Sequence, residues 1–432
     1  MRTSLCQALF AKLDNLIFLL RPIVMLPSHS SLRCLALGLL VTLAQVGLVV
    51  SFANPVGSLG DRYLVLVQHD SYWFASIINR GYGTTLPPID HKEMEVSNVA
   101  FFPAYPVLAE ALRRLTGLGT YLALLVTAQA ATWGFWTYFF LFCQRWQLST
   151  PLRLFGALAI AVHPAAFYLV AGYSESLFLL TLVGFLYWST DERRAAPALA
   201  ALHGFVMSAT RIVGLPCALF PLVYTFFESD DLPNEKWRNR VLRYRSPLLV
   251  VLVSMLGGLA FFAYCQVRWG RWDLYMLTQE AGWGLDPDYL AIFRPENYQF
   301  GLPPLENSTR ASQLTSALAG VLFVAIAIAE LFLSIRRRTE WRQRLGFYLS
   351  AAIVYYISLA GVATVGLESM LRYDLCVHAL VVLGMIHYLR EFRLVPVYVR
   401  ALGMGVASVA CAAGLGLQGF YVWNFSQGNW VA

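Results

Sequence analysis

The sequence predicts an all-α polytopic membrane protein. Its 432 residues are 58% hydrophobic and only 13% charged, whereas soluble domains carry about 25% charged residues. Mean hydropathy is +0.57, and long apolar runs recur along the whole chain. Because roughly 20 helical residues cross the hydrocarbon of a bilayer, we expect a bundle of about 10–11 transmembrane helices.

Charge and cysteine usage exclude other classes. The net charge is +7, but the basic residues lie in short loops and form no basic stripe interleaved with aromatics. We therefore expect no nucleic-acid partner. The seven cysteines are scattered and show no CxxC pair or Cys/His spacing, so structural zinc is not expected. Without a repeat of fixed period, residues 1–432 are expected to form one integral membrane domain.

Nine apolar runs predict spans. They cover residues 33–53, 120–143, 152–170, 173–190, 247–268, 313–335, 344–364, 371–389 and 400–424. A further apolar segment, 197–227, is long for one span and is interrupted by Arg211, Gly214 and Pro216. The number of crossings that it makes decides the orientation of everything after it.

The basic loops favour two crossings for segment 197–227. With one crossing, the Lys/Arg-rich segments 228–245 and 336–344 would face outward, against the positive-inside rule. Two short helices that meet near Arg211 remove this conflict. A charge and irregular backbone at membrane depth are tolerated only against protein or a water-filled cavity. We therefore predict a broken helix pair whose junction lines a site.

Two long outer loops follow from this topology, 54–119 and 269–312. The first contains aromatic amphipathic stretches at 70–80 and 101–115, which we expect to lie along the membrane interface. The second is rich in Trp, Pro and Asn, a composition that favours a folded cap over a linker.

Polar residues gather on the predicted outer side in four places. These are His69 and Asp70 with Arg80, Glu175 in "YSES", Arg211 at the break, and Glu368, Arg372 and Asp374 in "ESMLRYD".

Each group has a structural and a functional interpretation. Asp70 is suited to cap the helix after it, and also to act as a general base beside an apolar interface. Glu175 fits a hydrogen bond within its turn or a place in a site. Arg211 and Arg372 fit snorkelling to headgroups or binding of phosphate oxygens. Together, a carboxylate, outer arginines and a broken helix pair indicate a membrane-surface site for a lipid phosphate and a hydroxyl acceptor.

Five short motifs carry a resemblance to a known family. They are "HDSYWFASIINRGYG" (69–83), "NVAFFPAYP" (98–106), "YSESLF" (173–178), "ATRIVG" (209–214) and "SMLRY" (369–373). In this order, the set resembles the PIG-V-type GPI mannosyltransferase family of the GT-C superfamily, whose members use polyprenyl-phosphate sugars. The resemblance covers about residues 68 to 375, and "NVAFFPAYP" and "YSESLF" are its most distinctive parts.

The resemblance implies a GT-C fold, an outward-facing site and an inverting transfer of a hexose, mannose in this family. Asp70 would act as the base that deprotonates the acceptor hydroxyl, and Arg211 and Arg372 would bind the donor phosphate. His69, Arg80, Asn98, Glu175 and Tyr373 are the substrate-binding candidates. The partners implied are a polyprenyl-phosphate sugar and a lipid or glycan acceptor. No cofactor is expected; the need for a divalent ion stays open.

One departure from the family concerns the acceptor. His69 precedes Asp70 where relatives often have Trp, so the acceptor need not be a GPI precursor. The 29 Arg against 3 Lys favour a bacterial homologue in the inner membrane; the endoplasmic reticulum membrane is the alternative. Two other functions stay open: a transporter or flippase of lipid-linked sugars, and a non-catalytic subunit of a glycosylation complex.

Overall fold

The structure is a computed structural model, described for residues 29–54, 56–84, 97–229, 237–298, 308–336, 340–391 and 397–431. The described residues form α-helices and short 3₁₀ turns and no strand. In chain order the helices are α1 His29–Phe52, α2 Leu59–Leu64, α3 Asp70–Arg80, α4 Ala104–Thr116, α5 Thr120–Arg145, α6 Thr150–Ala161, α7 Glu175–Ser189, α8 Ala196–Thr210, α9 Gly214–Cys217, α10 Phe220–Ser229, α11 Trp237–Arg243, α12 Arg245–Trp269, α13 Leu274–Trp283, α14 Ser308–Arg336, α15 Arg342–Val362, α16 Met370–Glu391 and α17 Val397–Ser426.

The protein is an all-α polytopic membrane protein, as the sequence predicts. Among the described residues, four helices are long and apolar enough to cross a membrane: α1, the α11–α12 segment, α15 and α16. The bent pair α4 and α5, which meet at 113°, would add a fifth. Five further apolar helices are 10–17 residues long, so the bundle combines full spans with short helices.

The predicted run 152–170 is not one helix. Helix α6 ends at Ala161, and His163-Pro164 follow at once. Proline cannot continue a helix because it lacks the N–H donor and clashes with the preceding turn. The chain instead forms a 3₁₀ turn at Ala166–Leu169, and α7 begins afresh at Glu175. This break places the first residue of α7 inside the bundle.

The predicted break in segment 197–227 is present. Helix α8 ends at Thr210, and Arg211 is extended with φ −152° and ψ 146°. Gly214 follows in close contact with the end of α8, since a Cβ there would lie 2.6 Å from the Met207 carbonyl oxygen. Helix α10 then runs away from the break, and its Phe227 ring packs on Trp341 just before α15.

Both predicted outer loops contain helices. In the first, α3 and α4 pack on each other and on α5; in the second, α13 packs beside the 3₁₀ turn Asn98–Ala100. The middle of each loop, 85–96 and 299–307, lies outside the described residues. The two loops therefore meet over one end of the bundle, where α7 and α16 begin.

Candidate active site

A cavity of about 430 Å³ lies beneath this meeting point, within the usual range of small-molecule sites, about 300–1,000 Å³. Its walls come from α3, α7, α13, α15 and α16, and from the break after α8. Most of the lining is apolar or aromatic. Its charged members are Asp70, Glu175, Arg211, Glu280, Glu368 and Arg372.

Asp70 is the first residue of α3 and lines the cavity. His69, directly before it, has φ 49° and ψ −109°, a conformation that a residue with a side chain rarely adopts. An oxygen of the Asp70 carboxylate accepts a hydrogen bond from Arg372 Nη1. The Asp70 side chain is thus directed to the cavity rather than to the backbone of its own helix.

Glu175 and Arg211 form the second ion pair of the cavity. Arg211 Nη1 lies 2.9 Å from Glu175 Oε1, and the Glu175 side chain is 1% exposed. The extended backbone at Arg211 lets its side chain reach the first turn of α7. Arg372 Nη1 lies 3.9 Å from the same Glu175 oxygen. Charges therefore alternate along a continuous row, Asp70, Arg372, Glu175 and Arg211.

Arg372 occupies the centre of this row. Its Nη2 donates to Ser369 Oγ at 2.8 Å, and its Nε has no hydrogen-bond acceptor among the described residues. Leu367 and Ser369, just before α16, have φ 67° and 69°. Such backbone strain concentrates at functional sites. The guanidinium is therefore held firmly and keeps one buried N–H that fits a further acceptor, such as a phosphate oxygen.

Aromatic rings cover both guanidinium groups. Arg211 Cζ lies 4.8 Å from the ring centroid of Tyr373, and Arg372 Cζ lies 5.4 Å from that of Tyr173. Rings at such distances attract cations and exclude water. Tyr373, one of the substrate-binding candidates, lines the cavity.

Three other substrate-binding candidates, Arg80, Asn98 and His69, lie outside the cavity lining. Arg80 is exposed at the end of α3 and donates to Ser76 Oγ at 3.0 Å. Asn98 is buried and bonds the Gly83 N–H and the Gly81 carbonyl. Asn98 thus holds the loop that carries Phe101. Arg80 lies outside the cavity because it is the last residue of α3, whereas Asp70 is the first.

His69 also lies beside the cavity rather than in it. Its Nε2 is 3.1 Å from the Asn429 carbonyl oxygen, and its ring packs edge-on against Trp430. Burial lowers the pKa of His69 below its usual range, and the bond to the Asn429 carbonyl opposes this effect. His69 therefore contacts the chain after α17, and its role in substrate binding stays a prediction.

The sequence did not single out two groups of lining residues. Tyr275, Gln279 and Trp283 project from α13 into the cavity, and Trp283 packs against Phe101 of the first loop. Burial raises the pKa of Tyr275 to about 12, so its hydroxyl stays protonated near neutral pH. The other lining residue that the sequence did not single out is Trp430. Its residue type alone does not indicate that it lies beside Arg372.

The described residues contain no group of three or more His, Cys, Asp or Glu side chains that could hold a metal ion. Glu280 and Glu368 lie exposed at the rim of the cavity. The lack of a cofactor stays a prediction, and the need for a divalent ion stays open.

No protein-family model matches this sequence, and no curated protein matches it. Solved structures do match. ArnT from Cupriavidus metallidurans bound to undecaprenyl phosphate aligns with a TM-score of 0.50 and 15% identity, over 88% of this chain and 63% of that one. The apo ArnT structure aligns with the same TM-score and 17% identity. The chain shares the fold of these ArnT structures.

The archaeal oligosaccharyltransferase AglB from Archaeoglobus fulgidus, in complex with an inhibitory peptide and a dolichol-phosphate, aligns with a TM-score of 0.48 and 13% identity, over 89% of this chain and 56% of that one. This chain therefore spans about three fifths of the length of the structures it matches. At such identities a shared fold leaves the chemistry to be argued from the site itself.

Proposed function

We propose that this protein is a membrane glycosyltransferase that moves a hexose from a polyprenyl-phosphate sugar to a hydroxyl of a lipid-linked or glycan acceptor. The sugar proposed is mannose, following the resemblance to the PIG-V-type family. The site would open to the periplasm of a bacterial inner membrane, where the acceptor need not be a GPI precursor.

The observation that carries this proposal is the contact of Asp70 with Arg372 inside the cavity. An inverting transfer needs a general base and a phosphate-binding guanidinium close to the same reacting carbon, and this pair supplies both in one cavity. The ArnT structure with undecaprenyl phosphate supports a polyprenyl phosphate as the ligand of this fold. Arg211, the second cavity arginine, adds a positive charge without a metal.

The transfer step follows from these positions. Asp70 takes the proton of the acceptor hydroxyl, and the acceptor oxygen forms a bond to the anomeric carbon. The bond from that carbon to the donor phosphate oxygen breaks on the opposite face, which inverts the configuration. The polyprenyl phosphate leaves with the electron pair, and Arg211 and Arg372 stabilise its developing charge.

The ion pairs imply an exchange before this step. Asp70 holds Arg372, and Glu175 holds Arg211. A donor phosphate that binds Arg372 would replace the Asp70 carboxylate and leave it free to accept a proton. Donor binding and activation of the base are then one event.

The test is transfer of labelled mannose from polyprenyl-phosphate mannose, in membranes that contain wild-type or Asp70→Asn protein. We expect Asp70→Asn to lose transfer by about 10²–10⁴-fold, the usual contribution of a general base. Asp273→Asn is the matched control, since Asp273 pairs with Arg271 in the second outer loop outside the cavity lining.

Equal transfer by Asp70→Asn would remove Asp70 as the base and leave Glu175 as the next candidate. Movement of the lipid-linked sugar across the membrane, with no transfer by the wild type, would support the flippase alternative. A glycosylation complex that works with Asp70→Asn but not without the chain would support a non-catalytic subunit.

A further inference from the structure

The chain folds back sharply after α17. Helix α17 ends at Ser426, and Gly428 follows with φ 82°, in the left-handed region that glycine tolerates. The Asn429 N–H then bonds the Asn424 carbonyl at 3.2 Å. This turn directs residues 427–431 back towards the cavity.

Buried contacts hold the folded segment in place. Val431 and Phe425 are both 0% exposed. Ser426 Oγ accepts a hydrogen bond of 2.9 Å from the Asn54 N–H, and Phe425 packs on Tyr173 near the start of α7. Phe425 and Val431 therefore anchor the turn on either side, while Gln427, Gly428 and Asn429 between them are exposed.

Trp430 forms part of the cavity wall beside Arg372. Arg372 Cζ lies 5.3 Å from the Trp430 ring centroid, and the Arg372 side chain is 6% exposed. Tryptophan is the aromatic residue that attracts cations best, and more so where water is excluded. The Trp430 ring thus lies within cation–π distance of a guanidinium that is almost fully buried.

The same segment holds the residue before Asp70. His69 Nε2 is 3.1 Å from the Asn429 carbonyl oxygen; because a carbonyl only accepts, Nε2 carries the proton. The His69 ring packs perpendicular to Trp430 at 5.0 Å. A backbone conformation as rare as that of His69 persists only where its surroundings enforce it, and residues 429–430 provide these surroundings.

We propose that residues 427–431 position the Asp70–Arg372 pair. Trp430 is the positioning residue for Arg372, and the contact of His69 with Asn429 sets the start of α3, from which Asp70 projects. The choice of undecaprenyl phosphate as the ligand in the first test rests on the proposed function. The positioning of Asp70 and Arg372 by residues 427–431 does not depend on that function. Neither Trp430 nor Asn429 need touch the substrate for this role.

The first test compares Trp430→Phe with Trp430→Leu in purified protein, by binding of undecaprenyl phosphate. Both variants shorten the side chain, but only Phe keeps an aromatic face over Arg372. We expect Trp430→Leu to weaken binding about five- to tenfold and to raise KM for the donor alone, and Trp430→Phe to stay within about twofold of wild type. Trp423→Leu, an exposed position on α17, is the control.

Equal losses in Trp430→Phe and Trp430→Leu would overturn the proposal, since general packing would then explain them. A double-mutant cycle of Trp430→Leu with Arg372→Gln, which removes the charge, is read by unfolding in detergent and needs no substrate. A coupling of about threefold or more in the unfolding equilibrium supports the proposal, and additivity overturns it. If wild type binds no undecaprenyl phosphate, the proposed function fails and this cycle alone decides.

Discussion

Two buried clusters of charge lie at opposite ends of the bundle, and they differ in what surrounds them. Asp70 and Arg372 line a cavity. The other cluster joins Glu330 of α14 to Arg344 of α15, with Arg344 Nε 3.3 Å from Glu330 Oε1. About 22 Å of α16 separates Arg372 from His387, which is bonded to Arg344.

The second cluster is closed by its own partners. The Arg344 side chain is 0% exposed and the Glu330 side chain 5%, and Tyr348 donates its hydroxyl hydrogen to Glu330. By contrast, Arg372 lines the cavity, whereas neither Glu330 nor Arg344 does. Buried charge alone therefore does not identify a site, whereas a buried charge that lines a cavity is a candidate for one.

The largest effect is expected at the closed cluster, and it concerns stability. Arg344→Met would leave Glu330 with less compensation in the interior and lower the free energy of unfolding by about 3–5 kcal/mol. The double variant Arg344→Met/Glu330→Gln should recover most of this loss, since no charge is then stranded. Unfolding in detergent measures both. A single variant as stable as wild type would show that the cluster is not structural.

The next effect separates the two clusters by activity. Arg372→Lys keeps the charge but loses the planar fork, and transfer should fall about 10²–10³-fold, as when one preorganised donor is removed. Arg344→Lys is the counterpart at the closed end, where transfer per folded molecule should stay near wild type. The measurement is the initial rate of transfer by each variant, normalised to the amount of folded protein. An equal loss of transfer in Arg344→Lys and Arg372→Lys would contradict the distinction between the two clusters.

A smaller effect concerns the exchange at Arg372. Asp70→Asn removes the carboxylate that competes for the guanidinium, so undecaprenyl phosphate should bind roughly tenfold more tightly although transfer is lost. Calorimetric titration measures the affinity, with Asp273→Asn expected to match wild type. Unchanged or weaker binding by Asp70→Asn would mean that the phosphate does not replace Asp70 at Arg372.

The smallest effect is a pH dependence from His69. Burial lowers its pKa in the folded protein, while Asp70 acts to raise that pKa and Arg372 to lower it. As pH falls below about 6.5, the unfolded chain takes up a proton that folded His69 resists, so stability decreases. His69→Gln should reduce this decrease. The unfolding midpoints of wild type and His69→Gln are measured from pH 7.5 down to 5.5. The same decrease in both proteins would contradict this prediction.

The sequence could reveal the charged row because its members are unusual where they stand. Arg211 and Glu175 adjoin apolar runs, where an ionisable residue is costly and so calls for a partner. The break at Arg211 was readable from Gly214 and Pro216 together with the basic loops. Motif membership was a poorer guide, since Arg80 and Asn98 belong to the motifs but lie outside the cavity lining.

Side-chain direction explains what the sequence missed. Asn98 holds a loop, and His69 turns towards Asn429 because its backbone has positive φ. The types of these two residues do not predict where their side chains point. Trp430 is an apolar residue near many others, and its distance in sequence from Asp70 hides a contact that only packing creates.

The sequence by itself determined an all-α membrane protein, the break at Arg211 and the charged residues that line the cavity. These depend on hydropathy, helix-breaking residues and the cost of charge in an apolar medium, which are local properties. The tertiary structure decided the pairing of Asp70 with Arg372, the closed cluster at Glu330 and the place of Trp430. Asp70 and Arg372 are 302 positions apart, and the closed cluster joins side chains of three helices, so these contacts depend on how the helices pack.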